Sequence, residues 1–408
     1  MTKLYGGSGN EGGQVVTLTQ DGGILITGGS LSADGDFAGL INRGRLDIAL
    51  VKLNASGEIE WTKLFGGTDI DVLTSTIQTS DGSFLLAGWT YSNDGDFEGF
   101  YPGDAGSNIF LLKVDREGNI QWKKSVGGSG QENMDELVEL QDGSLLVLGE
   151  TNSTDGDFAG LNRGAFDMFL LKLDQEGNRV WLKTFGGSGN DEGSYASLSD
   201  GKLLIVGRTS STDGDFQGKQ IQGENDIFLM EMDADQNISW VETIERNEDI
   251  FINHFFQTPG GELVLAGANS SNIQDIILIK AASNGDIMWV RTFGGSGVER
   301  VGQAFQTSNN NILVIGQTTS NDGDFAGHQI DTSGDIITIN VDPTGNTNWI
   351  ENFGGTKSDD VRHSVQTPAG NYLITGQSKS IDGIFEGLSH GENDIFLINM
   401  DLEERPAN

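Results

Sequence analysis

Pairs of aspartates separated by one glycine recur along this chain, and their side chains are well suited to chemistry. Each pair belongs to an Asp-Gly-Asp-Phe segment, in which two carboxylates stand two positions apart. Closely spaced carboxylates are the ligands that calcium prefers, because the ion binds several oxygen atoms at once. The candidate calcium ligands are Asp34, Asp36, Asp94, Asp96, Asp155, Asp157, Asp213, Asp215, Asp322 and Asp324.

A second interpretation assigns the same carboxylates to the backbone of a turn. Aspartate side chains accept hydrogen bonds from nearby backbone amides, and glycine supplies the positive φ that a tight turn requires. The phenylalanine that follows would then anchor the loop on the fold. The spacing is not that of an EF-hand. Because the pairs recur at regular intervals, we prefer the turn and keep calcium as the alternative.

Aromatic residues cluster around one of these segments. Trp89, Tyr91, Phe100 and Tyr101 lie on either side of Asp94-Gly95-Asp96-Phe97. Aromatic surfaces beside carboxylates can hold a carbohydrate or a peptide, whereas the same residues can also pack a long loop against its support. The sequence leaves both interpretations open.

A further candidate site surrounds His254 and Phe255. There the chain lacks the long Asp-Gly-Asp-Phe loop, because residues 270–274 lead directly into Asp275. The missing loop could leave an opening for a partner, with His254 and Phe255 beside it. The alternative is decay of one repeat without functional consequence, which repeat proteins tolerate.

Signatures of catalysis are absent from the sequence. The four histidines, at 254, 328, 363 and 390, have no metal-ligand spacing, and neither His-Glu-x-x-His nor Gly-x-Ser-x-Gly occurs. Carboxylates are so numerous that no glycosidase pair stands out. We therefore predict no catalytic residues.

The elements that must position these residues are repeats of about 60 residues. Phe-Gly-Gly begins at Phe65, Phe185, Phe293 and Phe353, with variants at Tyr5 and Val126 and a degraded copy near residues 243–246. Such a period marks a supersecondary unit that cannot bury its apolar face alone.

One copy, residues 127–185, has the pattern of four short strands. Residues 136–140 alternate, Asp142-Gly143 is a hairpin turn, residues 144–149 and 167–173 are apolar, and the last strand contains Trp181. Four antiparallel strands in a meander form one propeller blade. Seven third strands follow this pattern and open at Asp47, Asn108, Asp167, Asp226, Asp275, Asp335 and Asp394.

The seventh copy has no fourth strand after residue 401, and residues 1–7 resemble residues 61–67. We therefore predict an all-β, seven-bladed β-propeller in which the N-terminal strand completes the last blade and closes the ring. Residues 1–408 form one domain in this prediction. Its blades start near residues 6, 66, 127, 186, 246, 294 and 354, and residues 1–5 complete blade seven.

In such a meander the loop between strands two and three shares a face with the link between blades. The Asp-Gly-Asp-Phe loops are therefore expected on the same face as the acid that stands four residues after each Gly-Gly. These acids, and the aspartate that opens each third strand, are predicted to cap backbone amides. One tryptophan per blade in the fourth strand indicates packing between blades.

Charge and composition narrow the possible partners. The chain of 408 residues has a formal charge of −36, which disfavours nucleic acids and anionic membranes and favours cations or basic protein surfaces. No apolar stretch is long enough to span a membrane. Cysteine is absent, which excludes disulfides and thiolate–metal sites.

The compound pattern, Asp-x-Phe-Leu-x-Lys-Leu-Asp-x-x-Gly-Asn-x-x-Trp-x-Lys-x-Phe-Gly-Gly, resembles the bacterial SBBP β-propeller repeat over essentially the whole chain. The resemblance implies a secreted or surface-attached protein, often a module of a larger chain, and it brings no catalytic residues. No secretion signal precedes the first repeat, because residues 1–5 already belong to it. The resemblance, and not a signal in these residues, makes the extracellular space or the cell surface the expected location.

Together these features predict a non-enzymatic propeller that binds a protein or a glycan through its acidic, loop-rich face. It would act as a monomeric ring or as a module of a larger assembly. One alternative is a hydrolase or lyase acting on glycans at the ring centre, and another is a structural spacer within a surface or injection assembly. Calcium is the one cofactor that the sequence suggests.

Overall fold

The computed structural model describes residues 2–100, 107–199, 202–221, 224–233, 236–244, 249–269, 274–328, 330 and 333–401. Within them 28 strands form seven four-stranded antiparallel sheets. Each sheet is one blade of a seven-bladed β-propeller, as the sequence predicts.

The strands of the first four blades follow the chain in meander order, β2 to β17. Their bounds are β2 Glu11–Leu18, β3 Ile24–Ser30, β4 Asp47–Leu53, β5 Ile59–Phe65, β6 Asp71–Gln78, β7 Phe84–Thr90, β8 Asn108–Val114, β9 Ile120–Val126, β10 Glu132–Glu139, β11 Leu145–Thr151, β12 Asp167–Leu173, β13 Arg179–Phe185, β14 Asp191–Ser199, β15 Lys202–Thr209, β16 Asp226–Met232 and β17 Ile238–Ile244.

The remaining strands form blades five to seven. Their bounds are β18 Ile250–Gln257, β19 Leu263–Asn269, β20 Ile276–Ala281, β21 Ile287–Phe293, β22 Glu299–Gln306, β23 Ile312–Thr318, β24 Asp335–Val341, β25 Thr347–Phe353, β26 Asp359–Gln366, β27 Tyr372–Ser378 and β28 Asp394–Met400, with β1 Thr2–Tyr5 in the last blade.

The first and the last strands of the chain lie side by side in one sheet. β1 pairs antiparallel with β28, so that Thr2 faces Ile398 and Tyr5 faces Ile395. Leu4 and Tyr5 are buried there at 6% and 4% exposure. The predicted completion of blade seven by the N-terminal strand is confirmed.

Apolar side chains fill the space between consecutive sheets. Second and third strands such as β7 and β8 are almost entirely buried, whereas the fourth strands are half exposed. The tryptophans of the fourth strands pack against cores that neighbouring sheets share; those seen in such cores are Trp122, Trp181, Trp289 and Trp349. The predicted packing role of these tryptophans is confirmed.

The chain falls into two compact units. Residues 1–16, 34–36 and 247–408 form the first, and residues 17–33 and 37–246 form the second. In six blades the first strand contains a β-bulge that leaves one residue out of the pairing, for example between Met134 and Glu136. A bulge re-aims the side chains beside it, because it bends and twists the strand locally.

The only helices in the described part of the chain are three-residue 3₁₀ turns, and none is long or apolar enough to cross a membrane. Each lies in an Asp-Gly-Asp-Phe loop or its variant in blade seven: Gly35–Phe37, Gly95–Phe97, Gly156–Phe158, Gly214–Phe216, Gly323–Phe325 and Gly383–Phe385.

Candidate binding surface at the loop ends of the blades

The aspartates of the Asp-Gly-Asp-Phe loops bind the backbone of the Gly-Gly link that precedes their own blade. In blade one the Ser8 N–H donates to Asp34 Oδ1 at 2.7 Å, and the Gly6 N–H donates to Asp36 Oδ2 at 3.0 Å. The Asp36 N–H donates in return to the Gly6 carbonyl at 2.9 Å. Two carboxylate hydrogen bonds and one backbone hydrogen bond thus fasten the loop to the link.

The same carboxylate bonds recur in the other complete loops at 2.7 to 3.2 Å. The intervening glycine is required, since Gly35 has a φ of +58° and a Cβ there would lie 2.3 Å from the Gly6 carbonyl oxygen. The phenylalanine after each pair is at most 1% exposed, as Phe158 and Phe216 illustrate. The turn interpretation is confirmed.

The calcium interpretation finds no assembled ligand set in the described residues. No group of three or more Asp, Glu, His or Cys side chains among them is arranged to hold a metal ion. The Ser8 and Ser129 amides lower the pKa of Asp34 and Asp155, so both carboxylates are charged while they accept backbone hydrogen bonds. Calcium binding stays a prediction.

The acid that follows each Gly-Gly is a second backbone cap. Asp71 Oδ2 accepts the Gly67 N–H at 2.8 Å, while Asp71 also accepts the hydroxyl groups of Thr90 and Ser92. Burial raises the pKa of Asp71 to about 6 despite these bonds. The aspartate that opens a third strand acts similarly: Asp47 Oδ2 accepts the Arg43 N–H at 2.8 Å. Both predicted capping roles are confirmed.

Arginines connect the loops of adjacent blades within the second unit. Arg43 Nη1 lies 2.6 Å from Asp96 Oδ2, and Arg163 Nη1 lies 2.8 Å from Asp215 Oδ2. All four side chains are at least one-fifth exposed, so each pair contributes about 0–1 kcal/mol to stability. Their main effect on this surface is to hold the loops in register.

An open polar cavity of about 460 Å³ lies at the loop ends of blades two and three, and we call it the loop-face cavity. Asn108, Ser125, Asp155 and Asp157 contribute its polar side chains. Among the described residues, the buried Oδ1 atom of Asn108 has no hydrogen-bond partner, and the same is true of Oδ1 of Asp167 and Asp394 at the equivalent position of other blades. A signal of this cavity was present in the sequence, because Val126-Gly127-Gly128 departs from Phe-Gly-Gly and Asn108 replaces the usual aspartate.

The aromatic candidates of blade two separate into two groups. Trp89 and Tyr91 form an edge-on pair with ring centroids 5.5 Å apart, and Tyr91 is 41% exposed. Phe100 is instead buried, 5.6 Å from the Phe97 ring, which is the loop-packing role. Tyr101 lies outside the described residues. The structure therefore leaves Trp89 and Tyr91 as the accessible aromatic pair.

The structure describes both candidate residues of blade five, whereas residues 270–273 of the shortened loop lie outside the described residues, so the opening stays a prediction. Phe255 is 5% exposed, and His254 is partly buried with its ring 6.1 Å from that of Phe305. The Nδ1 atom of His254 accepts the Ala304 N–H at 3.5 Å. Burial lowers the pKa of His254 to about 3, and nearby His363 lowers it further, so the imidazole is neutral.

A cluster that the sequence analysis missed lies in the first two strands of blades three and four. Three acids, Asp135, Glu150 and Glu192, surround one guanidinium, that of Arg208, which is paired with Glu192. We call these four residues the carboxylate cluster. Glu150 Oε1 accepts a hydrogen bond from Asn133 Nδ2 at 2.6 Å, whereas the buried Asp135 Oδ2 has no hydrogen-bond partner in the part of the chain that the structure describes.

Electrostatics favour the protonated forms of two acids of the carboxylate cluster, Asp135 and Glu150. Burial raises the pKa of Asp135 well above its usual range, and Glu150 and Glu192 raise it further. Burial likewise raises the pKa of Glu150 to about 7. The cluster was not predicted because the bulge at Asp135 and the separation of its members along the chain hide it among many other acids.

Comparison with known proteins supports the fold. Regulatory protein FlaEY of Caulobacter vibrioides is 26% identical over 227 residues, which cover 49% of this chain and 24% of that protein. The aligned part therefore spans about a quarter of the relative's length. No family model matches the chain, so the SBBP resemblance stays a prediction.

Solved structures match along nearly the full chain at low sequence identity. The Pan2 WD40 domain of Neurospora crassa aligns with a TM-score of 0.50 and 10% identity, covering 95% of this chain and 89% of that one. Drosophila Plexin A, solved in complex with Semaphorin 1b, aligns with a TM-score of 0.49 and 8% identity, covering 98% and 88%. At 10% identity the match to the WD40 domain supports the fold alone.

Proposed function

We propose that the protein is a non-enzymatic binding propeller whose loop-face cavity receives a basic surface of a partner protein. The observation that carries this proposal is the cavity itself, which opens between two loops and contains the carboxylates of Asp155 and Asp157. Its volume is in the range of small-molecule and side-chain binding sites.

Charge supports a basic partner. The chain carries 60 acidic and 24 basic residues, so its field attracts cationic surfaces and accelerates their association. The loops that form the cavity are fastened by hydrogen bonds, so little conformational entropy is lost on binding. The resemblance to surface-attached repeats adds an extracellular or cell-surface location to the proposal, which fractionation of the source cells tests.

The test compares removal of equal charge at the two ends of blade three. Asp155→Asn with Asp157→Asn keeps the oxygen that accepts each backbone amide but removes both charges from the cavity. The control is Asp174→Asn with Glu176→Gln in the third hairpin of the same blade, at the opposite end of the sheet. Immobilised wild-type and variant proteins are used to capture partners from source extract, and a captured protein is then purified for titration.

A partner that the wild type and the hairpin variant bind, and that the cavity variant binds at least tenfold more weakly, supports the proposal. Equal affinity for all three proteins overturns it. If the wild type binds a polysaccharide on a glycan array and captures no protein, the cavity is reassigned to glycans. Failure to capture any partner favours the spacer function.

A second candidate function, hydrolysis of a glycan, is favoured by the carboxylate cluster alone. A carboxyl with a pKa of about 7, such as Glu150, suits a general acid at neutral pH. Turnover in a broad polysaccharide panel that Glu150→Gln abolishes would establish this activity. No turnover by the wild type would exclude it for the substrates tested.

A further inference from the structure

The fourth-strand tryptophans share a specific contact with the next blade. In blade one, the Trp61 Nε1 atom donates to the Arg116 carbonyl in the third hairpin of blade two at 3.1 Å. The ring lies against Gly118 of that hairpin, where a Cβ would come within 3.0 Å of Trp61. Gly177 lies equally close to Trp122, and Gly345 lies close to Trp289. These hairpins therefore need a residue without a side chain.

Blade four breaks this rule. Gln236 occupies the glycine position of its third hairpin and retains the left-handed backbone, with a φ of +65°. By analogy with Gly118 and Gly177, a Cβ at this position is expected to crowd the ring of the preceding tryptophan, Trp181. Lys183 Nζ donates to the Gln236 carbonyl at 3.5 Å, so the hairpin keeps a contact with the fourth strand of blade three.

A cavity of about 280 Å³ lies at this point, and we call it the hairpin pocket. Its apolar surface comes from both blades, and Gln236 stands at its edge: the lining includes Leu146, Leu170, Trp181, Leu203, Met232 and Gln236. Departure from the repeat pattern and the presence of the cavity are independent observations that coincide at one position.

Five polar residues line the opening: two acids, one base and two neutral amides, Gln141 and Gln236. Asp142 and Asp233 line it together with Lys172, whose Nζ atom lies 3.1 Å from Asp142 Oδ2. The Ser144 hydroxyl and amide and Lys172 lower the pKa of Asp142 to about 2, so this carboxylate is charged. The Asn237 N–H donates to Asp233 Oδ1 at 2.9 Å. Two acids and one base leave a net negative rim.

We propose that the hairpin pocket takes one large apolar side chain, such as Trp, Phe or Leu, from a basic segment of a partner protein. The volume is somewhat below the roughly 300–1,000 Å³ of sites for drug-sized ligands and suits a single anchor residue. Anchor residues of this kind, buried in pockets with a polar rim, carry most of the energy of protein interfaces. The acidic rim and the charge of −36 select basic flanking residues.

This site is separate from the loop-face cavity. The hairpin pocket lies among the hairpins, at the end of blades three and four opposite the Asp-Gly-Asp-Phe loops. Loss of binding at one site leaves the other intact, so the two proposals fail independently.

The test uses labelled dodecapeptides as probes, with alternating Lys and Gly residues around a central Trp, Leu or Ala. A further peptide keeps the central Trp and replaces Lys by Glu. Binding is measured by fluorescence anisotropy to the wild type, to Gln236→Gly and to Asp155→Asn/Asp157→Asn. Gln236→Gly restores the repeat residue and lets Trp181 close over the pocket. Because glycine favours a positive φ, this variant should melt at the same or a higher temperature than the wild type.

The proposal predicts that the basic Trp and Leu peptides bind the wild type and the loop-face variant equally. They should bind Gln236→Gly at least tenfold more weakly, and the Ala peptide should bind the wild type at least tenfold more weakly. Equal binding to Gln236→Gly, equal binding of the Ala peptide, or no binding of any basic peptide overturns the proposal. Equal binding of the acidic Trp peptide overturns the basic character assigned to the partner.

Discussion

In the first unit, the residue that follows the β-bulge in the first strand of a blade repeatedly links that strand to the next blade. His254 Nδ1, Gln303 Oε1 and His363 Nδ1 each accept a backbone N–H from the next blade, at 3.5, 2.5 and 3.4 Å. Two residue types thus serve one structural purpose. Gln accepts the bond at any pH, whereas a histidine can accept it at Nδ1 only while that nitrogen is unprotonated.

The two histidines should make the protein less stable in acid. Burial lowers the pKa of His254 to about 3 and that of His363 to about 4, whereas both titrate near 6.5 in the unfolded chain. Below pH 6.5 the unfolded state therefore binds protons that the native state does not bind. The stability of the native state falls as the pH falls toward 4. At pH 5 each histidine should lower the free energy of unfolding by about 1–2 kcal/mol relative to its value at pH 7.5. Urea unfolding at both pH values measures this difference.

The double variant His254→Gln/His363→Gln isolates the effect. It copies Gln303, so it should keep both hydrogen bonds and lose less stability than the wild type between pH 7.5 and pH 5. Carboxyls with raised pKa values, such as Glu150, act in the opposite direction, because their contribution is lost as pH rises toward 7. Both proteins share that term. An identical pH dependence for wild type and variant would contradict the role assigned to the histidines.

The strands and turns were predictable because the same sequence pattern for them recurs in each repeat. Alternation in β10 and the Asp142-Gly143 turn identify a hairpin on their own, and the Asp-Gly-Asp-Phe loop has a local hydrogen-bonding logic. The bulge at Asp135 was not predictable, since one unpaired residue leaves no pattern when the equivalent positions hold Ser194 and Asn253. Without the bulge, the side chains that meet in the carboxylate cluster could not be identified.

Calcium chelation should leave the melting temperature unchanged. The loop carboxylates, such as Asp34 and Asp155, already accept backbone amides at 2.7 Å, and no ligand group assembles among the described residues. A cation bound only by the native state would raise the melting temperature by mass action. Differential scanning fluorimetry with ~1 mM calcium or EDTA, on the order of 100-fold above the ~10 μM weak end of sensor affinities, measures the shift. A rise of several degrees with calcium would restore the metal interpretation.

At the scale of the whole chain, the pairing of β1 with β28 was foreseeable because residues 1–7 repeat the pattern of residues 61–67. The binding sites were not, since they arise where repeats differ. Asn108 and Gln236 are visible in the sequence as departures from the repeat pattern. Such a departure does not predict a binding site until the structure shows a cavity beside it.

Completion of the last sheet by β1 should contribute several kcal/mol of stability to blade seven. Leu4 belongs to the core of that blade, so Leu4→Ala should lower the free energy of unfolding by about 2–5 kcal/mol, whereas Thr2→Ala on the same strand should change it by less than about 1 kcal/mol. Removal of residues 1–5 should also leave β28 as an exposed edge and promote self-association. A synthetic peptide of residues 1–7 should bind the truncated protein and raise its melting temperature with concentration, because it binds the native state only. A truncated protein that stays monomeric, as stable as the full chain and indifferent to the peptide would show that this strand does not hold the sheet.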